Sequence, residues 1–279
     1  MRFRTPVPLL AATLAATVAV SATTFVAVIA PTAPSILAAE DPAAAPALPN
    51  WKKGDQTGTV AIDGHDEAFA ALVPAGYSPK KPGAVVLLLH GNGGKAADFL
   101  QTCKALAGKS PPLLIALERC DNQQKAEGYG PKYLTELKKQ FAIDDTKVFA
   151  VGFSGGGFRL WDDVVCKAEE AARFRGVVLV GSAKQSFDPA DKPATPSTVI
   201  LVGDPKDTNF TETAPAAEKA LAAKTWECIV LEHKNGHSMS APELKDVFTW
   251  IDAVIDGKKT TLATRRVEAE KEGTGGKKR

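Results

Sequence analysis

The sequence predicts an α/β protein, a three-layer sandwich in which a mostly parallel sheet is entered through an antiparallel strand pair. Three observations predict it. Apolar runs recur at 84–90, 113–118, 147–153, 176–181, 198–203 and 226–232 without polar alternation, as parallel strands buried on both faces require. Segments with helical spacing, near 96–106, 132–141, 156–171, 214–223 and 242–255, separate them. Strand and helix in alternation place helices on both faces of one sheet.

Ahead of this core, residues 57–63 and 67–74 read as an antiparallel pair turning at Asp63-Gly64. Pro131 and Pro242 stand near helix starts, where a missing N–H is harmless. The domain organisation follows: an N-terminal leader over 1–39, an Ala/Pro-rich linker over 40–56, a folded domain over 57–256 and a basic tail over 257–279. Arg2 and Arg4 followed by an uncharged, apolar stretch to Ala39 fit a secretory signal peptide, with a signal anchor as the alternative. Export is therefore expected, to a periplasmic or extracellular space, with membrane attachment only if the leader is retained. The tail reads as an unstructured end with a short helix over 261–270.

At 279 residues, with 44% hydrophobic and 24% charged residues and a formal net charge of +2, the chain carries no whole-chain case for nucleic acid. Cys103, Cys120, Cys166 and Cys228 are even in number, and Cys103 with Cys120 is the favoured pair, with buried free thiols as the alternative. No Cys or His spacing points to a metal.

The chemistry concentrates at Gly152-Phe153-Ser154-Gly155-Gly156, between an apolar strand and a helical segment. Strand, Gly-x-Ser-x-Gly and helix make the sharp turn that presents a nucleophilic serine. A serine hydroxyl needs a base. His65 and His90 are badly placed, whereas His233 and His237 both follow the last strand. His237, with Gly236 before it and a longer loop, is preferred. The orienting carboxylate comes from Gly203-Asp204-Pro205-Lys206-Asp207, where Asp204 and Asp207 compete. Asp204 also reads as a turn residue. The oxyanion site needs backbone N–H groups, one from Gly155 and one from Asn92 in His90-Gly91-Asn92-Gly93-Gly94.

With these motifs in order, the chain resembles the α/β-hydrolase superfamily over residues 57–255. More narrowly it is similar to the secreted esterase branch of polyhydroxybutyrate depolymerases and feruloyl esterases, through Val73-Pro74-Ala75-Gly76-Tyr77 ahead of the glycine loop. The resemblance implies Ser154, Asp207 and His237 as a triad that hydrolyses carboxylic esters through an acyl-enzyme, without cofactor or metal. Gly203 lies four residues before Asp207, one more than the Gly-x-x-Asp spacing of many members.

The expected partner is a small-molecule or polymer-attached ester, because Ser182 to Ser197 is short and proline-bearing and predicts a minimal lid over an open cleft. A serine peptidase of the same fold and a non-catalytic binding module are the alternatives. A dinucleotide-binding turn fails, since the glycines lack the Gly-x-Gly-x-x-Gly spacing and the next strand ends without an acidic residue.

Overall fold

The computed structural model describes residues 48–49, 51–120, 129–184, 187–194, 197–239, 241–260 and 262–268. The expected leader, most of the linker and the tail beyond 268 lie outside the described residues. Among the described residues eight strands form one sheet: β1 (Gly54–Ile62), β2 (His65–Val73), β3 (Gly83–Leu89), β4 (Leu113–Leu117), β5 (Ile143–Phe153), β6 (Gly176–Val180), β7 (Thr198–Gly203) and β8 (Glu227–Glu232). Their order is β1-β2-β4-β3-β5-β6-β7-β8. β1 pairs antiparallel with β2, and β2 antiparallel with β4. Every pairing from β4 to β8 is parallel.

The helices are α1 (Ala96–Leu106), α2 (Tyr129–Leu137), α3 (Gly155–Leu160), α4 (Ala168–Ala171), α5 (Thr208–Ala223) and α6 (Ala241–Ile255), with a π-helical turn over Trp161–Val165. Side chains alternate across each strand and so divide the core in two. Val85, Leu87 and Leu89 of β3 join Tyr133, Leu134, Trp161, Phe210 and Leu221 from α2, the π-turn and α5. Val86 and Leu88 join Phe99, Leu100, Phe248 and Ile251 from α1 and α6. These β3 side chains are at most 2% exposed, and full burial of each contributes about 1.5–3 kcal/mol.

The fold departs from the sequence reading in several places, and β5 starts at Ile143, four residues before the expected 147. β1 starts at Gly54, inside the expected linker, because Trp51 stacks on Phe141 with ring centroids 4.9 Å apart and donates to the Gln140 carbonyl. α2 spans Tyr129–Leu137, ahead of the expected 132–141. The helix expected over 156–171 is interrupted by the π-turn and by an extended Lys167. α5 begins six residues early. Residues 262–268 are not helical, and Arg265 adds a parallel bridge to the outer side of β8. Its N–H donates to the Val230 carbonyl and its carbonyl accepts from Glu232, so main-chain bonding to an open sheet edge outweighs local helix formation.

The favoured cysteine pair is also corrected: none of the four cysteines is in a disulfide. Cys103 lies in the core layer under α1, and Cys120 in the layer on the opposite face of the sheet. The β-sheet between them prevents a bond.

Candidate active site

β5 leads into Ser154, which adopts φ 50° and ψ −117° before α3 begins. A left-handed non-glycine residue costs on the order of 1–3 kcal/mol and persists only where its surroundings enforce it. Three hydrogen bonds do so: Ser154 N–H donates to the Val180 carbonyl, and its own carbonyl accepts from the Gly157 and Phe158 N–H groups. The turn demands flanking glycines. A Cβ on Gly152 would stand 2.6 Å from the Gly156 carbonyl oxygen, and one on Gly156 would stand 2.5 Å from the His90 carbonyl oxygen.

Ser154, His237 and Asp207 come together from three separate loops. His237 Nε2 lies 2.9 Å from Ser154 Oγ, and His237 Nδ1 lies 2.7 Å from Asp207 Oδ2. A carboxylate only accepts, so Nδ1 carries the proton and Nε2 is left to accept from the serine hydroxyl. Asp207 is the N-cap of α5, and its Oδ1 accepts from Asn209 N–H at 3.1 Å. One oxygen therefore serves the helix start, where negative charge is favoured, and the other the imidazole. The His237 side chain is 37% exposed and that of Asp207 only 4%.

The two runners-up occupy other positions. Asp204 is buried and accepts from the N–H groups of Lys206 and Gly236, not from His237. His233 is buried, with Nδ1 accepting from Asn235 N–H.

The glycine loop packs on the serine turn, since a Cβ on Gly91 would lie 3.1 Å from both Phe153 Cδ1 and Ser154 Cβ. Asn92 follows as an exposed residue, and Gly155 opens α3 directly after the serine. Glu118 holds this loop from behind. Its carbonyl contacts His90 Nε2 at 2.9 Å, and its carboxylate accepts from Ala96 N–H at the start of α1.

Two further residues shape the site. Gly181 sits at φ 60°, and a Cβ there would stand 3.0 Å from His237 Nδ1 and 3.4 Å from Asp207 Oδ2. Phe153 lies beside the imidazole with ring centroids 4.9 Å apart, which limits its tilt. A glycine after a strand was visible in the sequence, but its contact with two residues from later loops was not.

The described part of the segment between β6 and β7 contains no helix. The π-turn and β8 sides hold it down: Trp161 Nε1 donates to the Phe187 carbonyl, Ala190 N–H to the Val165 carbonyl, and Trp226 Nε1 to the Ala190 carbonyl. A cavity of about 400 Å³, lined by Tyr77, Pro111 and Asp252 among others, lies by the amino ends of β3 and β4, away from Ser154. Among the described residues no group of three or more His, Cys, Asp or Glu side chains is arranged to hold a metal ion.

No family model matches the chain, and no curated protein matches it. Solved structures do. A thermostable esterase aligns at 14% identity and TM-score 0.53 over 72% of this chain, which spans 61% of that chain's length. Esterase 2 of Thermogutta terrifontis with propionate bound aligns at 13% identity and TM-score 0.57, covering 75% of this chain and 97% of that one. The same esterase has been captured phosphorylated by paraoxon. A Klebsiella pneumoniae protein assigned as a dienelactone hydrolase aligns at 15% identity and TM-score 0.53, covering 74% of this chain and 100% of that one. At these identities the likeness shows the fold alone, that of the α/β-hydrolases.

Proposed function

We propose that the chain is a serine hydrolase that cleaves carboxylic esters through an acyl-enzyme. The observation that carries this reading is the unbroken hydrogen-bonded chain from Ser154 Oγ through His237 to Asp207. His237 Nε2 takes the hydroxyl proton as Ser154 Oγ attacks the carbonyl carbon, and Asp207 holds the resulting imidazolium. The backbone N–H groups of Asn92 and Gly155 receive the oxyanion. His237 then protonates the departing alcohol, and the acyl group stays on Ser154. A water, deprotonated by His237, attacks the acyl-enzyme to release the acid and restore the serine.

Two features support a small or polymer-attached ester as the substrate. A partly exposed His237 and a β6–β7 segment tied down beside Trp161 and Trp226 leave room for an ester that is small or attached to a polymer. The apolar leader over 1–39 supports export of this activity, and a polyhydroxybutyrate depolymerase-like or feruloyl esterase-like preference belongs to the same reading.

The test is a fluorophosphonate probe on purified protein, with and without Ser154→Ala, followed by p-nitrophenyl esters of graded chain length, feruloyl esters and peptide amides. Labelling lost in Ser154→Ala together with ester turnover supports the proposal. An unlabelled wild type would indicate a binding module, and cleavage of amides in preference to esters a peptidase.

A further inference from the structure

Asp204 and Asp207 stand three residues apart on one loop and have different partners. Asp204 is 3% exposed, so both of its oxygens need donors from the protein. Oδ1 accepts from Lys206 N–H at 2.7 Å, and Oδ2 accepts from Gly236 N–H at 2.6 Å. Lys206 immediately precedes Asp207, and Gly236 immediately precedes His237. A single carboxylate thus grips the backbone one residue ahead of both the acid and the base.

His233 N–H also donates to the Gly203 carbonyl at 3.0 Å and joins the bases of the same two loops, while Asp204 joins them farther out, next to the acid and the base. Gly236 adopts φ 65°, at the turn that sends His237 toward Ser154. Beside it, Asn235 N–H is taken by His233 Nδ1 at 3.2 Å. Two adjacent peptide N–H groups of the histidine loop are therefore fixed by buried side chains. Hydrogen bonds to an ionised acceptor are shorter and roughly twice as strong as neutral ones. Burial pushes the Asp204 carboxyl up, but the Lys206 and Gly236 N–H groups, with the charge of Lys206, together hold it below its ordinary 3.8.

We propose that Asp204 is a positioning residue that sets the separation of the acid and histidine loops, and through it the hydrogen bond between Asp207 and His237. This inference rests on the triad reading of Ser154, His237 and Asp207. It gives the carboxylate that competes with Asp207 in the sequence a separate task.

The experiment compares wild type, Asp204→Asn, Asp204→Glu and Asp207→Asn in full-length protein on a p-nitrophenyl ester. Asp204→Asn keeps one acceptor and turns an NH2 group on the other N–H. Its kcat is expected to fall about 10–100-fold with KM within about twofold, the signature of a base displaced by a fraction of an ångström. Asp204→Glu, which keeps both acceptors, should recover part of the loss. Unchanged kcat in Asp204→Asn overturns the proposal. So does a loss as deep as that of Asp207→Asn, which would make Asp204 the acid itself.

Two readouts do not depend on turnover. The downfield imidazole N–H resonance of His237, assigned with His237→Gln, should be present in wild type and lost or moved in Asp204→Asn. The Gly236 amide should be protected from hydrogen exchange in wild type, which tests the strut even if the variants fail to fold. Exchange of that amide at the rate of an exposed loop overturns the proposal. A wild type with no esterase activity but with both signals would sink the hydrolase reading and leave Asp204 as a strut.

Discussion

Gly156 and His90 meet across the active site: a Cβ on Gly156 would stand 2.5 Å from the His90 carbonyl oxygen, with the Leu89 carbonyl closer still. The helix that starts at the serine turn thus presses directly on the end of β3, where the glycine loop begins. Backbone lies on both sides of this contact, so neither side can rotate away as a side chain would. Gly156→Ala is expected to cost about 3 kcal/mol, the upper end of overpacking penalties. That corresponds to a Tm lower by about 6–12 °C in thermal unfolding. Activity should fall as well, since relief of the clash moves Ser154 and the loop bearing Asn92 apart. A Tm within 1–2 °C of wild type, about 0.5 kcal/mol, would contradict this packing.

Asp207 has two structural duties, which substitution separates. Asparagine caps a helix about as well as aspartate, so Asp207→Asn should leave the Tm nearly unchanged. It cannot stabilise the imidazolium, and it leaves His237 free to take the wrong tautomer. A loss of about 10⁴-fold in kcat is expected in steady-state assays. Asp207→Ala removes the cap on Asn209 N–H as well and should cost about 0.5–2 kcal/mol of stability besides. Equal stability of the two variants would show that the cap contributes nothing.

None of the four cysteines is in a disulfide, and burial keeps three of the thiols protonated: Cys166 and Cys228 are pushed up to about 12, and Cys103 further. The thiolate is the reactive form. The folded protein should therefore react slowly with iodoacetamide at pH 8. After unfolding without reductant, all four thiols should alkylate, read as a mass increase of four labels. A reductant should leave the Tm unchanged. Two labels instead of four would reveal a disulfide.

The parallel strands were legible because a strand buried on both faces must be apolar at every position, as Leu113–Leu117 and Gly176–Val180 are. The serine turn was legible because its glycines answer steric demands within a few residues. The first turns of α5 were not: Thr208 to Thr213 and Pro215 have loop composition. They are helical because Asp207 caps them and because Phe210 packs so tightly on Gly203 that a Cβ there would lie 2.8 Å from the ring Cε2. The roles of Gly181 and Asp204 were illegible for a related reason. Each depends on contact with residues that β8 and the histidine loop bring from more than 25 positions away. Cys103 and Cys120 are close in sequence, but only the sheet's two faces show that they cannot meet.

Two carboxylates shift in opposite directions and should affect acid stability with opposite sign. Burial pushes the Asp162 carboxyl above its ordinary 3.8, and the Asp163 charge adds to this, while Arg159 and Lys167 only partly oppose it. Its Oδ1 is buried without a hydrogen-bond partner among the described residues. A carboxyl with a raised folded pKa binds its proton more tightly in the folded state, so folding loses stability as pH rises from 3.8 through the raised value. Above that window the full cost is present, and below 3.8 it is absent. Asp162→Asn is the neutral counterpart and should raise the Tm at pH 7 while leaving it nearly unchanged at pH 3. Asp204 is held below 3.8, so its contribution is present above 3.8 and is lost as pH falls through its lowered value. Asp204→Asn should lower the Tm at pH 7, and the gap to wild type should narrow in strong acid. Thermal melts of both variants from pH 3 to pH 7 decide the matter. If Asp162→Asn melts no higher than wild type at pH 7, its buried oxygen has a partner and the sign assigned to it is wrong.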